Sequence, residues 1–274
     1  MTTTQPRLLA SAVRVFDMSF GQMLWSRRSV FLGLLVGAPM VMAFAIRMVA
    51  VTRGLPVING AGLNGPTLFG ILIWLLFVRF VVPVLGVFYG TSLIADEVDD
   101  KTITYLFTRP VPRSAVLLGK YLSYLACVVL LVLPAVVVVY FLVIPIGGNI
   151  GQSFPQLVED LGMLIIGLAS YGALFAFVGA WLKRPLIVGL VFAFGWESTV
   201  LLIPGYLKRL SVAYYLQALV PHAMPQDSSI SALLSVFQEY PPIWVSLVSL
   251  TGITVVGLWL AGWAVEKREY VLEQ

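Results

Sequence analysis

Long apolar stretches alternate with short polar ones along the whole chain, and the apolar stretches are too long for strands. A helix needs about 20 predominantly apolar residues to cross a hydrocarbon core of roughly 30 Å. Residues 29–47, 67–95, 115–145, 160–182, 185–204 and 242–265 meet that requirement with few Asp, Glu, Lys or Arg. The pattern predicts an all-α integral membrane protein, one transmembrane domain over residues 1–274 with six transmembrane helices. No alternation of roughly ten residues, the mark of a membrane β-barrel, runs through the sequence. Pro39, Pro83, Pro134 and Pro145 fall in or beside the spans. Membrane helices accommodate proline where neighbours satisfy the freed carbonyls.

Residues 8–25 follow a different rhythm. Leu9, Ala12, Phe16, Phe20 and Met23 share one helical stripe, and Arg7, Ser11, Arg14, Asp17 and Gln22 the opposite one. A basic amphipathic helix beside a bilayer is expected to lie in the interface plane. Two loops are long enough to carry structure. The segment 96–113 joins the second and third spans, and 205–241 joins the fifth and sixth. The latter, with Tyr206, Tyr214, Tyr215 and an amphipathic stretch at 228–239, is too apolar for a solvated linker and predicts short helices returning towards the membrane. The first span is too long for the apolar region of a cleavable signal peptide and lacks a small-residue cleavage pattern.

Composition turns this pattern into an exclusion. Of the 274 residues, 59% are hydrophobic and 11% charged, against about 25% charged in soluble domains. So few charges cannot cover a particle of this size in water. Charge placement sets orientation, because Lys and Arg collect on the cytoplasmic side. With the N-terminus inside, twelve of the 17 Lys and Arg face the cytoplasm, four face outwards and Arg79 lies within a span. Both termini are therefore expected to be cytoplasmic.

Candidate chemistry is sparse. One cysteine, Cys127, and one histidine, His222, leave no thiolate cluster and no site needing two imidazoles, so no metal site is expected. No phosphate-binding GxxxxGK[ST] loop and no zinc-protease or serine-hydrolase motif is present. Catalytic residues are not expected, nor a cofactor held by this chain. Two charges stand at membrane depth, Arg79 in the second span and Glu197 in the fifth. An intramembrane charge is a functional candidate by default. The two are read as a structural pair or a subunit contact, or as lining a pathway; Arg79 alone could also snorkel to the outer interface. Gly33/Gly37 and Gly86/Gly90 form GxxxG pairs, and Gly172, Ala176 and Ala180 repeat at four, marking faces where helices can approach closely.

The join between the second and third spans carries the most specific pattern, GTSLIADEVDDKTITYLFTRPVPRSAVLLGKYLSYL at 90–125. It resembles the permease subunits of ABC-2 type transporters. The resemblance rests on Glu97, Thr102, Leu106, Arg109, Pro110, Arg113, Gly119 and Lys120, with Lys101 where the family often has glycine. It implies a permease that works as a dimer with a second copy of itself in a bacterial or archaeal inner membrane. Two copies of a separate ATP-binding subunit, which hold the ATP and Mg, would dock on the 96–113 segment. The resemblance also implies a cavity between the second and fifth helices of the two copies. It further implies export of an amphipathic cargo, or energy supplied to an extracytoplasmic partner; membrane lipid is the remaining contact and no nucleic acid is expected. In that setting Asp96, Glu97, Asp99 and Asp100 would meet basic groups of the ATPase. Ile103, Tyr105, Leu106 and Phe107 would be its buried anchors, and Lys101, Thr102, Arg109, Pro110 and Arg113 complete the coupling set. The alternative is a nucleotide-independent scaffold or secondary carrier, although no internal repeat of the carrier kind links residues 29–145 with 161–265.

Overall fold

The computed structural model describes residues 8–25, 27–53, 57–58, 61–62, 64–94, 113–200, 206–220 and 241–267. Eight helices account for nearly all of them. They are α1 (Leu8–Leu24), α2 (Arg27–Arg53), α3 (Gly65–Ile94), α4 (Arg113–Val143), α5 (Ile150–Trp181), α6 (Pro185–Val200), α7 (Val212–Ala218) and α8 (Ile243–Lys267). A two-residue antiparallel ladder, Val57–Ile58 with Ala61–Gly62, interrupts the α2–α3 connection, and a 3₁₀ turn, Tyr206–Leu210, precedes α7. Five helices, α2 from Leu32 onward, α3, α4, α5 and α8, are long and apolar enough to cross a membrane, while Pro185–Val200 is a shorter apolar helix.

Local chemistry sets several boundaries. Asn149 caps α5 by accepting from the Gly151 amide at 3.0 Å, so the helix begins at Ile150, ten residues before the edge that hydropathy alone suggests. That extension draws Asp160, fully buried, into the body of α5. Pro185 opens α6 and Pro66 falls in the first turn of α3, where the missing N–H has no intrahelical acceptor anyway. The turn between α4 and α5 needs Gly147, whose φ of +75° favours a residue without Cβ.

Helix α5 is the hub, packed against α3, α4, α6 and α8. Its contact with α3 is glycine-dependent. A Cβ on Gly86 would lie 2.8 Å from Tyr171 Cβ, and one on Gly90 would lie 2.9 Å from Phe175 Cβ and 3.1 Å from the Gly172 carbonyl. The Gly86/Gly90 and Gly172/Ala176 stripes thus meet face to face. Gly33 and Gly37 have nothing within 4 Å, so among the described residues the same motif on α2 packs no neighbour. Helix α4 is tied to α5 by Tyr121 and Tyr124, which donate to the carbonyls of Ala169 and Leu168, each at 2.9 Å. Ser170 Oγ stands 3.2 Å from the Leu250 carbonyl and 3.1 Å from Thr254 Oγ1, joining α5 to α8.

Helix α1 lies along the first turns of α4. A Cβ on Gly119 would come within 2.6 Å of the Ala12 carbonyl oxygen, and Ser123 donates to the Phe16 carbonyl at 3.0 Å. Ala12 and Ser19 are buried on this side, whereas Arg14, Asp17 and Gln22 are exposed.

Candidate functional site

Helices α3 and α6 share a feature absent from the other described helices: π-helical turns. They cover Ile73–Val81 and Gly86–Gly90 in α3 and Val191–Trp196 in α6. Pi turns recur at functional sites because they widen the backbone ladder at a cost the surroundings must meet. In α3 they flank Pro83, which has no N–H for the Arg79 carbonyl four residues earlier. The two widened regions face each other, and Phe80 and Phe194 pack with ring centroids 5.9 Å apart.

Arg79 stands near the midpoint of Gly65–Ile94. It is fourteen residues or more from either end of the helix, which corresponds to about 21 Å, beyond the snorkelling reach of an arginine side chain. Its guanidinium carbon lies 5.7 Å from the centroid of the Trp74 ring. In an α-helix, positions five apart diverge by about 140°; the π turns bring Trp74 and Arg79 to one side.

Glu197 begins the α-helical end of α6 and is only 3% exposed. Its carboxylate accepts from the Ser211 hydroxyl, the Val212 amide at 3.0 Å and the Ala213 amide at 3.1 Å. Ser211 is the N-cap of α7 and also accepts from the Tyr214 amide at 3.3 Å. The carboxylate therefore closes the N-terminal end of α7, where unpaired amides and the helix dipole both favour negative charge. Among the described residues no ion pair joins Arg79 to Glu197.

Tyr171 of α5 completes the cluster. Its hydroxyl is buried beside the Glu197 carboxylate, with which it interacts, and it lies within electrostatic reach of Arg79 as well. The arrangement is thus a cation on α3, a buried hydroxyl on α5 and a carboxylate on α6 held by α7. It can present a guanidinium and a phenol to a polar group inside an apolar surround, and it couples α6 mechanically to α7.

The sequence singles out Arg79 and Glu197 but not Tyr171, Trp74, Ser211 or Asp160. Tyr171 reads as one more apolar-span aromatic, and Asp160 as the polar edge of a loop. Asp96, Glu97, Lys101, Thr102, Tyr105, Leu106, Phe107, Arg109 and Pro110 lie outside the described residues, as do Asp99, Asp100, Ile103 and His222. Arg113 is the first residue of α4, with its side chain likewise outside the description. Among the described residues no three of His, Cys, Asp and Glu come together as a metal site.

The sequence profile of a protein family described as "ABC-2 family transporter protein" matches residues 8–270. No curated protein matches the chain.

Proposed function

The chain belongs to the ABC-2 family of transporter proteins, and from that membership we propose that it is the permease subunit of an ATP-driven exporter. The family match over nearly the whole chain is the observation that carries the proposal. The proposed chain is a multi-pass protein of a bacterial or archaeal inner membrane with six spans, α6 being the fifth. Both termini are cytoplasmic and α1 lies in the inner interface. It pairs with a second copy and with two ATP-binding subunits, which supply ATP and Mg.

The 96–113 segment is the proposed coupling element. It runs from the end of α3 to the start of α4, so a displacement imposed on it reaches Arg79 along α3. Docking of α1 against Gly119 and Ser123 stiffens the first turns of α4. A short segment pinned by Pro110 and Pro112 transmits displacement better than a floppy loop. Gly86 and Gly90 seat α3 on α5, leaving the α3–α6 face, with its π turns, as the surface that opens. Glu197 then makes α7 follow α6, so that movement at membrane depth reaches the outer side. Cargo crosses between α3 and α6, the second and fifth spans, of the two copies, or the same motion drives an extracytoplasmic partner.

The test is recovery of partners from the source membrane with a tagged chain. A Walker-type ATP-binding protein recovered in equal stoichiometry is the expected result. Its absence from a complex that still contains the second copy would remove the exporter reading.

A further inference from the structure

We propose that Arg79 is the recognition residue of the transport pathway and that its ligand is an amphipath bearing an anionic group on an apolar body. The proposal rests on the permease reading above and deepens it by naming the cargo class.

A guanidinium at the middle of a membrane helix is costly unless it is paired or faces a polar cavity. No acid within the described residues pairs with Arg79. The other membrane-depth charge, Glu197, has both oxygens committed to the N-terminal end of α7. Among the described residues, therefore, no counter-charge is built for Arg79. The Tyr171 hydroxyl, within electrostatic reach of Arg79, stands beside the Glu197 carboxylate, so the guanidinium is the donor left without an acid. Leaving such a group unmatched carries a desolvation penalty, and an anion entering the site meets that need.

The surround fixes the rest of the ligand. Phe80 and Phe194 close the α3–α6 face, and each is more than 40% exposed. Trp74 lies under the guanidinium. These rings offer apolar contact and no further charge. A cation would be repelled in a medium of low dielectric, and a neutral amphipath would leave the guanidinium unmatched. Carboxylate, sulfate and phosphate oxygens suit its forked donors.

The test uses the purified permease in discs of phosphatidylcholine, a zwitterionic lipid that supplies no competing net anion. Decyl sulfate and decyltrimethylammonium share an apolar tail and differ in headgroup charge, and their saturable binding below the micellar range is measured against empty discs. The parent protein should bind the sulfate saturably and the ammonium not at all. Arg79→Gln should weaken sulfate binding by about tenfold or more, the weight of one charged hydrogen bond, and Arg79→Lys should retain most of it. Unchanged sulfate affinity in Arg79→Gln overturns the proposal, as does a parent that takes both ions equally. Should Arg79→Gln fail to fold, the parent's charge selectivity decides. Phosphatidylglycerol added to the discs identifies the source of the anion. Displacement of the sulfate assigns it to a membrane lipid and persistence to a non-lipid amphipath, and either upholds the class. Because no ATPase is present, a failure here is separate from failure of the partner-recovery experiment.

Discussion

The Ser211 hydroxyl donates to the Glu197 carboxylate, and the same carboxylate accepts from the two amides that follow Ser211, at 3.0 and 3.1 Å. One side chain of α6 thereby takes the place that a bound anion or a capping residue fills at other helix N-termini. The two residues are fourteen positions apart, so the contact ties α7 to α6 across the chain that separates them.

Removal of that carboxylate should be felt as lost stability. Glu197→Ala strands the Ser211 hydroxyl and two buried amides, with an expected cost of about 2–4 kcal/mol. Ser211→Ala removes one donor and the N-cap together and should cost about 1 kcal/mol. The double variant should fall short of the sum, because the partners act as a unit. Denaturant unfolding in micelles gives all three values, and strict additivity would mean that the hydroxyl and carboxylate do not meet.

The Arg79 and Glu197 charges should behave differently. No ion pair joins them among the described residues and their link runs through Tyr171, so they should couple more weakly than the Glu197 carboxylate and the Ser211 hydroxyl do. Arg79→Ala and Glu197→Ala should therefore combine more nearly additively in the same unfolding assay. A large coupling, with the double variant more stable than Glu197→Ala, would show that the two charges pair in the membrane.

Two glycine substitutions separate packed from open helix faces. Gly119→Leu forces a side chain into the Ala12 carbonyl and Val15, with its Cβ 2.6 and 2.8 Å from them. Overpacking of this kind typically costs about 1–3 kcal/mol, and here it should release α1 from α4. Gly33→Ala meets nothing within 4 Å and should leave stability unchanged or slightly improved, since alanine favours the helix. Protease accessibility of α1 and melting in micelles distinguish the two outcomes.

That pair of substitutions also shows how far the sequence carries. Gly33/Gly37 and Gly86/Gly90 are the same motif, and no local signal tells which one meets a partner helix. Arg79 and Glu197 stand out from their positions because charge is rare in apolar runs, but their partners do not. Trp74 reaches Arg79 through π-helical turns, whereas a 3.6-residue period points it elsewhere. Ser211 reaches Glu197 through tertiary closure of a loop. The start of α5 is hidden by the low hydropathy of GQSFPQLVED, although Asn149 is a recognisable cap. Gly119 is visible as one letter of a motif, and its use as the seat of α1 appears only when the two helices are placed together.

Orientation is open to direct labelling. The only native cysteine, Cys127, is buried in α4, so background reaction should be low. Gly62→Cys, in the α2–α3 connection, should react with an impermeant thiol reagent applied to intact cells. Pro112→Cys should react only after the membrane is opened. Labelling of Pro112→Cys in intact cells would invert the orientation drawn from the Lys and Arg bias.

Coupling to ATP hydrolysis is expected to reside in the 96–113 segment, with its acids and its apolar residues doing different things. Charges at the rim of an interface mainly set association rate and salt sensitivity, whereas buried anchors set dissociation. Truncating an anchor commonly costs about 2 kcal/mol or more, and a carboxylate placed in an apolar pocket costs further desolvation. Leu106→Asp and Phe107→Asp should therefore release the ATP-binding subunit or leave its turnover blind to the permease. Glu97→Ala should retain the complex but slow its formation and raise its salt sensitivity. Pro110→Gly should leave binding nearly intact yet lower transport per ATP hydrolysed, because a segment freed from its fixed φ flexes where it should push. Co-purification of the ATP-binding subunit and its turnover in reconstituted membranes measure these effects. Normal binding together with normal coupled turnover in both aspartate variants would exclude 96–113 as the coupling element and place the transmission of work elsewhere on the cytoplasmic side.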